Sequence, residues 1–450
     1  MMKRKYIEQL IEWNNDKNRK PLMIWGARQV GKSYLVEELF AKVYYKENRY
    51  LKIDLSDDDD FTLFAEKNSN LDKVLEYISL HYHFNPDKDH LLFFDEVQEC
   101  PSILKMMKHF CEKRRDIPVI VSGSLVRTRI HRDSKKTNKQ FLFPVGKINQ
   151  LYVFPMTFDE YLLNYDENKY NFVKNHFESK EQIDPIIHKE LMDDFRTYMF
   201  VGGMPEVVDT FLSNREDKAK AFKKVSHKIR EIYDDYLDDM GLYQTSTESI
   251  IRSKKIYGNI YKQLNKENKN FKISQVVEGA KNRDVINPFF WLNASNVILE
   301  SFALKEKVTS PLIRDEDSLF RIYLSDVGMF TYQSGLNYEK FLVDKNNALS
   351  GIYYENYVAS ELIARRRELF YWKGKRNSEL EFVIDINGEI VPIDVKKGRD
   401  RLESLKEFRA HNKTGLAIKV SSNQYGYNED KKLLTLPFYY FPFYLDTKLD

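Results

Sequence analysis

Eight residues near the amino terminus, Gly26-Ala27-Arg28-Gln29-Val30-Gly31-Lys32-Ser33, constrain this chain more than any other stretch. They follow the apolar run Leu22-Met23-Ile24-Trp25 and precede Tyr34-Leu35-Val36-Glu37-Glu38-Leu39-Phe40, so a buried strand leads in and a helix leads out. The spacing is G-x-x-x-x-G-K-[ST], and the flanks are what give it meaning. The two glycines let the backbone curl so that its N–H groups converge on an anion, and the helix beginning near Lys32 adds the positive end of its dipole. Lys32 is placed to reach the β- and γ-phosphates of a nucleoside triphosphate, and the Ser33 hydroxyl to ligate Mg²⁺. Gly26, Ala27, Arg28, Gln29, Val30, Gly31, Lys32, Ser33 and Tyr34 are therefore the candidate nucleotide-binding residues.

The surrounding rhythm agrees. "PLMIW", "RYLKIDL", "HLLFFD", "IPVIVSG" and "INQLYVF" read as strands, with helical patterns at 32–43, 59–83 (with a break) and 102–114 between them. Alternation of this kind predicts a parallel sheet covered by helices. The acidic run Asp57–Asp60 reads as a helix start, its carboxylates near the positive end of the dipole. "HLLFFDEVQ" is an apolar strand ending in Asp95-Glu96, where Asp95 can hold the Mg²⁺ and Glu96 can act as general base toward a water. "IPVIVSGSL" ends in Ser122-Gly123-Ser124; Ser122 and Ser124 are candidates for orienting that water, with an ordinary strand-end turn as the alternative.

Taken in order, "GARQVGKS", "FFDEVQ", "VSGSL", "FPVGKINQLYVFPMTFDEYL" and "FVGGMPEVV" resemble the prokaryotic AAA-type ATPases with a carboxy-terminal domain of unknown function, the AAA_14/DUF4143 group. The resemblance covers nearly the whole chain. It implies ATP as the nucleotide and an AAA-type core in the additional-strand branch of P-loop proteins. Ala27 replaces the proline usual in the group's loop. Lys147 stands in "FPVGK" where members carry an arginine that serves as a γ-phosphate sensor or finger; lysine keeps the charge but loses the planar fork of donors. Arg127 and Arg129 are alternatives for that role. They belong to a basic stretch, Val126–Lys139, that reads either as a solvated loop or as a contact for phosphates.

From about 166 the pattern turns helical, as in "DKAKAFKKVSHKIREIYDDYLDDM", and then resembles the winged-helix-like part of the same family. Lys254, Lys255, Lys262, Lys266, Lys269, Lys272, Lys281 and Arg283 make this part basic, so DNA or a protein is its candidate partner. "FRIYLSDVGMF" reads as a strand followed by a packing helix.

The last third offers Glu355 on a helical pattern, Glu381 on a strand, and "PIDVKKG", where Asp394 and Lys396 share one face. A turn is expected at Asn387-Gly388. Two acids and a lysine suit metal-dependent phosphodiester hydrolysis, with Glu381 and Asp394 holding Mg²⁺ beside Glu355 and Lys396. The arrangement resembles a PD-(D/E)xK nuclease fold, with Glu381 then Asp394 where members tend to show Asp then Glu. Such folds also persist as binding modules, and a plain charged hairpin is the third alternative.

The expected fold is thus α/β: an AAA-type P-loop ATPase domain at 1–165, a helical, winged-helix-like region at 166–340, and a PD-(D/E)xK nuclease-like α/β domain at 341–450. The expected activity is ATP hydrolysis coupled to DNA or a protein partner. The alternatives are a nucleotide-dependent switch with little turnover and an ATP-gated, Mg²⁺-dependent nuclease. A net charge of +3 does not by itself argue for nucleic acid. No segment approaches the roughly 20 apolar residues of a membrane span, so no membrane partner is expected. The two cysteines, Cys100 and Cys111, form no disulfide framework and point to a reducing, cytoplasmic compartment.

Overall fold

The computed structural model describes the chain apart from residues 1, 47, 69, 125–143, 244–245, 280–281, 316–318, 345–348, 375–377, 397–401 and 450. The basic stretch with Arg127 and Arg129, and the side chains of Lys281 and Arg283, lie outside the described residues. Two compact units form. One holds Lys3–Phe154 and Gly241–Thr247, the other Pro155–Met240 and Glu248–Asp450. Among the described residues no helix is long and apolar enough to cross a membrane.

The first unit runs α1 (Tyr6–Asn15), β1 (Leu22–Trp25), α2 (Lys32–Tyr44, wound as π-helix over Leu35–Ala41), β2 (Tyr50–Asp54), α3 (Asp59–Lys67), α4 (Leu71–Tyr82), β3 (Leu91–Asp95), α5 (Pro101–Lys113), β4 (Val119–Ser122) and β5 (Asn149–Tyr152). Its sheet has the order β2-β3-β4-β1-β5, and every pairing is parallel. Helices cover both faces of a parallel sheet, so its inner strands must be apolar throughout. "LMIW", "LLFFD" and "VIVS" are apolar up to the closing Asp95 and Ser122, and every residue of β1, β3 and β4 is buried. The edge strands β2 and β5 carry Lys52, Asn149 and Gln150 and are partly exposed. Strand β4 is wedged between β1 and β3, as expected for the additional-strand arrangement. The acidic run is a helix start: Asp58 caps α3, its Oδ1 accepting from the Phe61 amide at 3.0 Å.

In the second unit a helical stretch comes first: α6 (Phe158–Tyr165), α7 (Glu167–Glu178), α8 (Pro185–Val201), α9 (Pro205–Leu212), α10 (Lys218–Tyr243), α11 (Thr247–Tyr257), α12 (Ile260–Leu264), α13 (Ile273–Val276) and α14 (Asn282–Ala294). Thr157 and Glu160 close a capping box on α6. Then come β6 (Ile298–Leu304), β7 (Phe320–Leu324), α15 (Val327–Gln333), α16 (Tyr338–Val343), α17 (Gly351–Ala364), β8 (Leu369–Lys373), β9 (Glu379–Leu380), β10 (Phe382–Ile386), β11 (Glu389–Val395), α18 (Glu403–His411), β12 (Ala417–Ser421), β13 (Gly426–Asn428), β14 (Leu433–Pro437) and α19 (Phe441–Leu449). They form a four-stranded sheet, β7-β6-β8-β9, and a five-stranded one, β10-β11-β12-β14-β13. Apart from Gly241–Thr247, which falls in the first unit, stretches 166–340 and 341–450 both lie in this unit. Stacked rings of Phe195, Tyr354 and Phe438 tie α8 to α17, with centroids 4.9 and 4.6 Å from that of Phe438. The turn between β10 and β11 is at Asn387-Gly388, both with positive φ, 52° and 88°.

Candidate functional site

Register decides what meets what in the first unit. Ile24 pairs with Ser122 and Phe94 with Val121, so β1, β3 and β4 end together. The loop 26–33, the pair Asp95-Glu96 and Ser122 therefore share the carboxyl edge of the sheet, where open α/β sheets bind ligands. The loop is pinned from two sides. A Cβ on Gly26 would lie 2.3 Å from the Val153 carbonyl oxygen, so only glycine lets the chain leave β1 past the end of β5. Opposite, buried Arg4 donates to the carbonyls of Val30 at 2.8 Å and Phe154 at 2.7 Å. Gly31, φ 85°, turns the chain into α2.

Lys32 is 6 % exposed. Its Nζ donates to the carbonyls of Ala27 at 2.8 Å and Gly26 at 3.2 Å. Burial pushes its ammonium down to about 8; Glu96 and Asp95 oppose the shift and Arg28 adds to it. A buried cation whose burial outweighs its counter-charge, set in a loop of this spacing at a helix start, is a receptor for an anion. The folded value lies below the ordinary 10.5, so the unfolded chain binds more protons across that window. Stability of the nucleotide-free protein should therefore rise between about pH 8 and 10.5. Urea midpoints at the two ends of the window check this, and Lys32→Met should flatten the rise.

Asp95, almost wholly buried, accepts a hydrogen bond from the Ser122 hydroxyl, and its other oxygen lies 3.5 Å from Lys52 Nζ. Lys52 also reaches Glu37 on α2 at 3.1 Å. Glu96 leaves β3 in the left-handed region, φ 51°, and its carboxylate is held by the Gln98 amide. A non-glycine residue there costs of order 1 kcal/mol or more and tends to mark a functional position. Ser124 is buried just beyond Ser122. Ala27 is buried, Arg28 exposed, and Gln29, Ser33 and Tyr34 half-buried. Lys147 sits elsewhere. It precedes β5, whose Asn149 pairs with Leu22 at the start of β1. It thus stands at the opposite edge of the sheet from the loop and pairs with Glu112 at 2.9 Å.

In the second unit α17 presents Glu355, and β11 with the residue after it presents Asp394 and Lys396. Glu381 was expected on a strand. It lies instead at the bend between β9 and β10, where the chain leaves its partner β8 for β11. That bend turns its carboxylate to the end of β11, where Oε2 accepts from the Val395 amide at 3.1 Å and Oε1 from Lys396 Nζ at 2.9 Å. Lys396 Nζ is 3.2 Å from Asp394 Oδ1. Burial first, then Glu381, pushes the Asp394 carboxyl up to about 6. Glu355 is bound to Lys269, Nζ to Oε1 2.7 Å. Among the described residues no group of three or more His, Cys, Asp or Glu side chains is disposed to hold a metal ion.

Residues 18–162 match the AAA domain family AAA_14, and residues 350–439 match the domain of unknown function DUF4143. The chain belongs to the AAA_14/DUF4143 family. A further domain of unknown function, DUF8612, matches 192–340. No curated protein matches the sequence. Among solved structures the chain is similar to the Walker-type ATPase PABY2304 of Pyrococcus abyssi, at 15% identity, covering 74% of this chain and 96% of that one with a TM-score of 0.43. It is also similar to AMPPCP-bound DnaA from Aquifex aeolicus, at 12% identity, 64% and 86% coverage and a TM-score of 0.28. A DNA replication initiation factor shows 14% identity, 64% and 77% coverage and a TM-score of 0.23.

Around the AAA domain's loop, sequence reading missed Arg4 and Lys52. Neither carries a motif, and each meets the site through contacts 26 or more positions away. Arg4→Met leaves the Val30 and Phe154 carbonyls without their donor. The expected cost is about 1–3 kcal/mol in the stability of the AAA domain, read from urea unfolding, with part of it restored by Arg4→Lys. Around the acids of the DUF4143 region the missed residues come from the DUF8612 stretch: Lys269 as a partner of Glu355, and Arg321, buried on β7 over the Tyr371 ring at 3.9 Å.

Proposed function

We propose that the protein binds ATP with Mg²⁺ on the loop 26–33 and hydrolyses it, and that its remaining segments couple this to DNA or a protein partner in the cytoplasm. The observation that carries the reading is the Lys32 ammonium, buried within the loop against the Gly26 and Ala27 carbonyls and short of counter-charge. The Ser33 hydroxyl and the Asp95 carboxylate are hard oxygen donors of the kind Mg²⁺ takes, and they would hold it. Once bound, the ion neutralises charge on the β- and γ-phosphates. Ser122 fixes the Asp95 carboxylate, and Glu96 orients water and accepts its proton. Titration calorimetry with ATP and GTP tests this. Wild type should take up ATP, and Lys32→Ala should bind it at least about tenfold more weakly, a loss of about 1.4 kcal/mol. Absence of triphosphate uptake by folded wild type would overturn the reading.

We assign the ATPase part to 1–165 and read 166–340 as winged-helix-like, supported by α12, α13 and α14 followed by the antiparallel pair β6–β7. Lys255, Lys262, Lys266 and Lys272 are exposed there. The order α17, β8, β10, β11, α18, β12 supports a PD-(D/E)xK-like reading of 341–450. For that tail a binding module is favoured over an active nuclease, because lysines already pair with its carboxylates. Turnover measured with and without DNA tests the coupling. A rise of several-fold on adding DNA is expected, and an unchanged rate would point to a protein partner.

A further inference from the structure

Four carboxylates, those of Glu355, Glu379, Glu381 and Asp394, gather in the second unit around three cations, Lys269, Arg321 and Lys396. The cluster has two halves. Lys396 serves Glu381 and Asp394. Lys269 Nζ lies between Glu355 Oε1 at 2.7 Å and Glu379 Oε1 at 3.0 Å, while the other Glu379 oxygen meets Arg321 at 2.5 Å. Burial opposes charge on Lys269, but Glu355, Glu381 and Glu379 together hold its ammonium above the ordinary range.

The lysine is delivered by a braced segment. It comes from the loop between α12 and α13, inside the stretch that matches DUF8612, whereas all four acids lie in the stretch that matches DUF4143. Its neighbour Asn270, 4 % exposed, accepts from the Tyr371 hydroxyl at 2.7 Å. The next amide, that of Phe271, donates to the Phe320 carbonyl at 2.8 Å. A backbone fixed just after a long flexible side chain lowers the entropy cost of seating it.

Two acceptor atoms are left over. Glu355 Oε2 and Asp394 Oδ2 are buried and have no hydrogen-bond partner, on residues 4 % and 3 % exposed. Buried carboxylate oxygens in that condition are costly. They are also the hard donors that Mg²⁺ and Mn²⁺ take. Yet the described carboxylates are not disposed as a metal site. An ammonium already sits on Glu355: Lys269 Nζ occupies its Oε1 at 2.7 Å.

We propose that Lys269 is the resident cation of this cluster, an ammonium seated where a divalent ion would otherwise bind, and that Glu355 takes a divalent ion only when Lys269 is removed. A lysine from one segment thereby closes the acid cluster of another and ties the two segments together. The inference deepens the reading of the tail as a binding module and does not depend on nucleotide binding at the loop 26–33.

The test is Mn²⁺ titration of the full chain without nucleotide, read by the electron paramagnetic resonance of free Mn²⁺. Wild type, Lys269→Met and Lys269→Met with Glu355→Gln are compared. The single variant should take up one Mn²⁺ per chain more than wild type, and adding Glu355→Gln should abolish that gain. Circular dichroism checks that each variant is folded, and Lys269→Gln replaces Lys269→Met if the latter is not. Two results would overturn the proposal: wild type already binding a Glu355-dependent Mn²⁺ as tightly as the variant, or a folded Lys269 variant gaining none. Loss of ATP binding has no bearing on either outcome, so the two readings fail separately.

Discussion

Glu96→Gln should leave ATP bound and lower its hydrolysis by roughly 10²–10⁴-fold, the range a positioned general base contributes. The substitution is nearly isosteric. It keeps a side chain that the Gln98 amide can hold and removes the carboxylate that would accept the proton of water. The backbone of residue 96, φ 51° and ψ 48°, is as accessible to glutamine as to glutamate. Calorimetry should therefore show ATP affinity changed by less than about tenfold while phosphate release collapses. Equal turnover in variant and wild type would remove Glu96 from the reaction. Negligible release already in wild type would favour a nucleotide-dependent switch. Lys32→Ala separates from both, because it removes binding itself.

Gly203→Ala should cost the second unit about 4 kcal/mol, in the range that single substitutions reach when backbone has nowhere to go. A Cβ on Gly203 would lie 2.0 Å from the Met156 carbonyl oxygen. The Met156 amide donates to the Gly203 carbonyl at 2.6 Å, so the two strands of chain are in direct backbone contact. On the other side the Gly203 amide donates to Asp326 Oδ2 at 2.6 Å, and Asp326 Oδ1 caps α15 through the Met329 amide at 2.9 Å. Gly202, φ 79°, packs against the same carboxylate: a Cβ there would meet Asp326 Oδ1 at 2.4 Å. The motifs "VGGMP" and "LSDVG" are thus two halves of one junction, in which glycine backbone wraps a buried aspartate. Hydrogen exchange of the peptides holding Gly203 and Met329 should accelerate in the variant. Unchanged protection there would show that the junction relaxes at little cost.

How much of this was readable in advance follows from how local each signal is. The strands and helices of the first unit were legible because their cause is local. Runs such as "LLFFD" suit a strand covered on both faces, and a glycine-lysine-serine turn is written in consecutive residues. The loop, Asp95-Glu96 and Ser122 converge because parallel strands of similar length end together, which alternation alone foretells. The hairpin at Asn387-Gly388 was legible for the same reason. Glu381 was misplaced because a strand pattern does not say where a chain changes sheets, and that change at the β9–β10 bend is what aims its carboxylate at Lys396.

From the sequence by itself came the parallel sheet, the phosphate-type loop, the helical middle and the mixed tail, all features whose physics acts within a dozen residues. Tertiary structure alone decided that Arg4 grips the loop's Val30 carbonyl, that Lys147 stands at the far edge of the sheet, and that Lys269 neutralises Glu355 across 86 positions of chain. Those pairings are chosen by burial. A charge removed from water must find its counter-charge wherever the fold has put one, and no local pattern records the address.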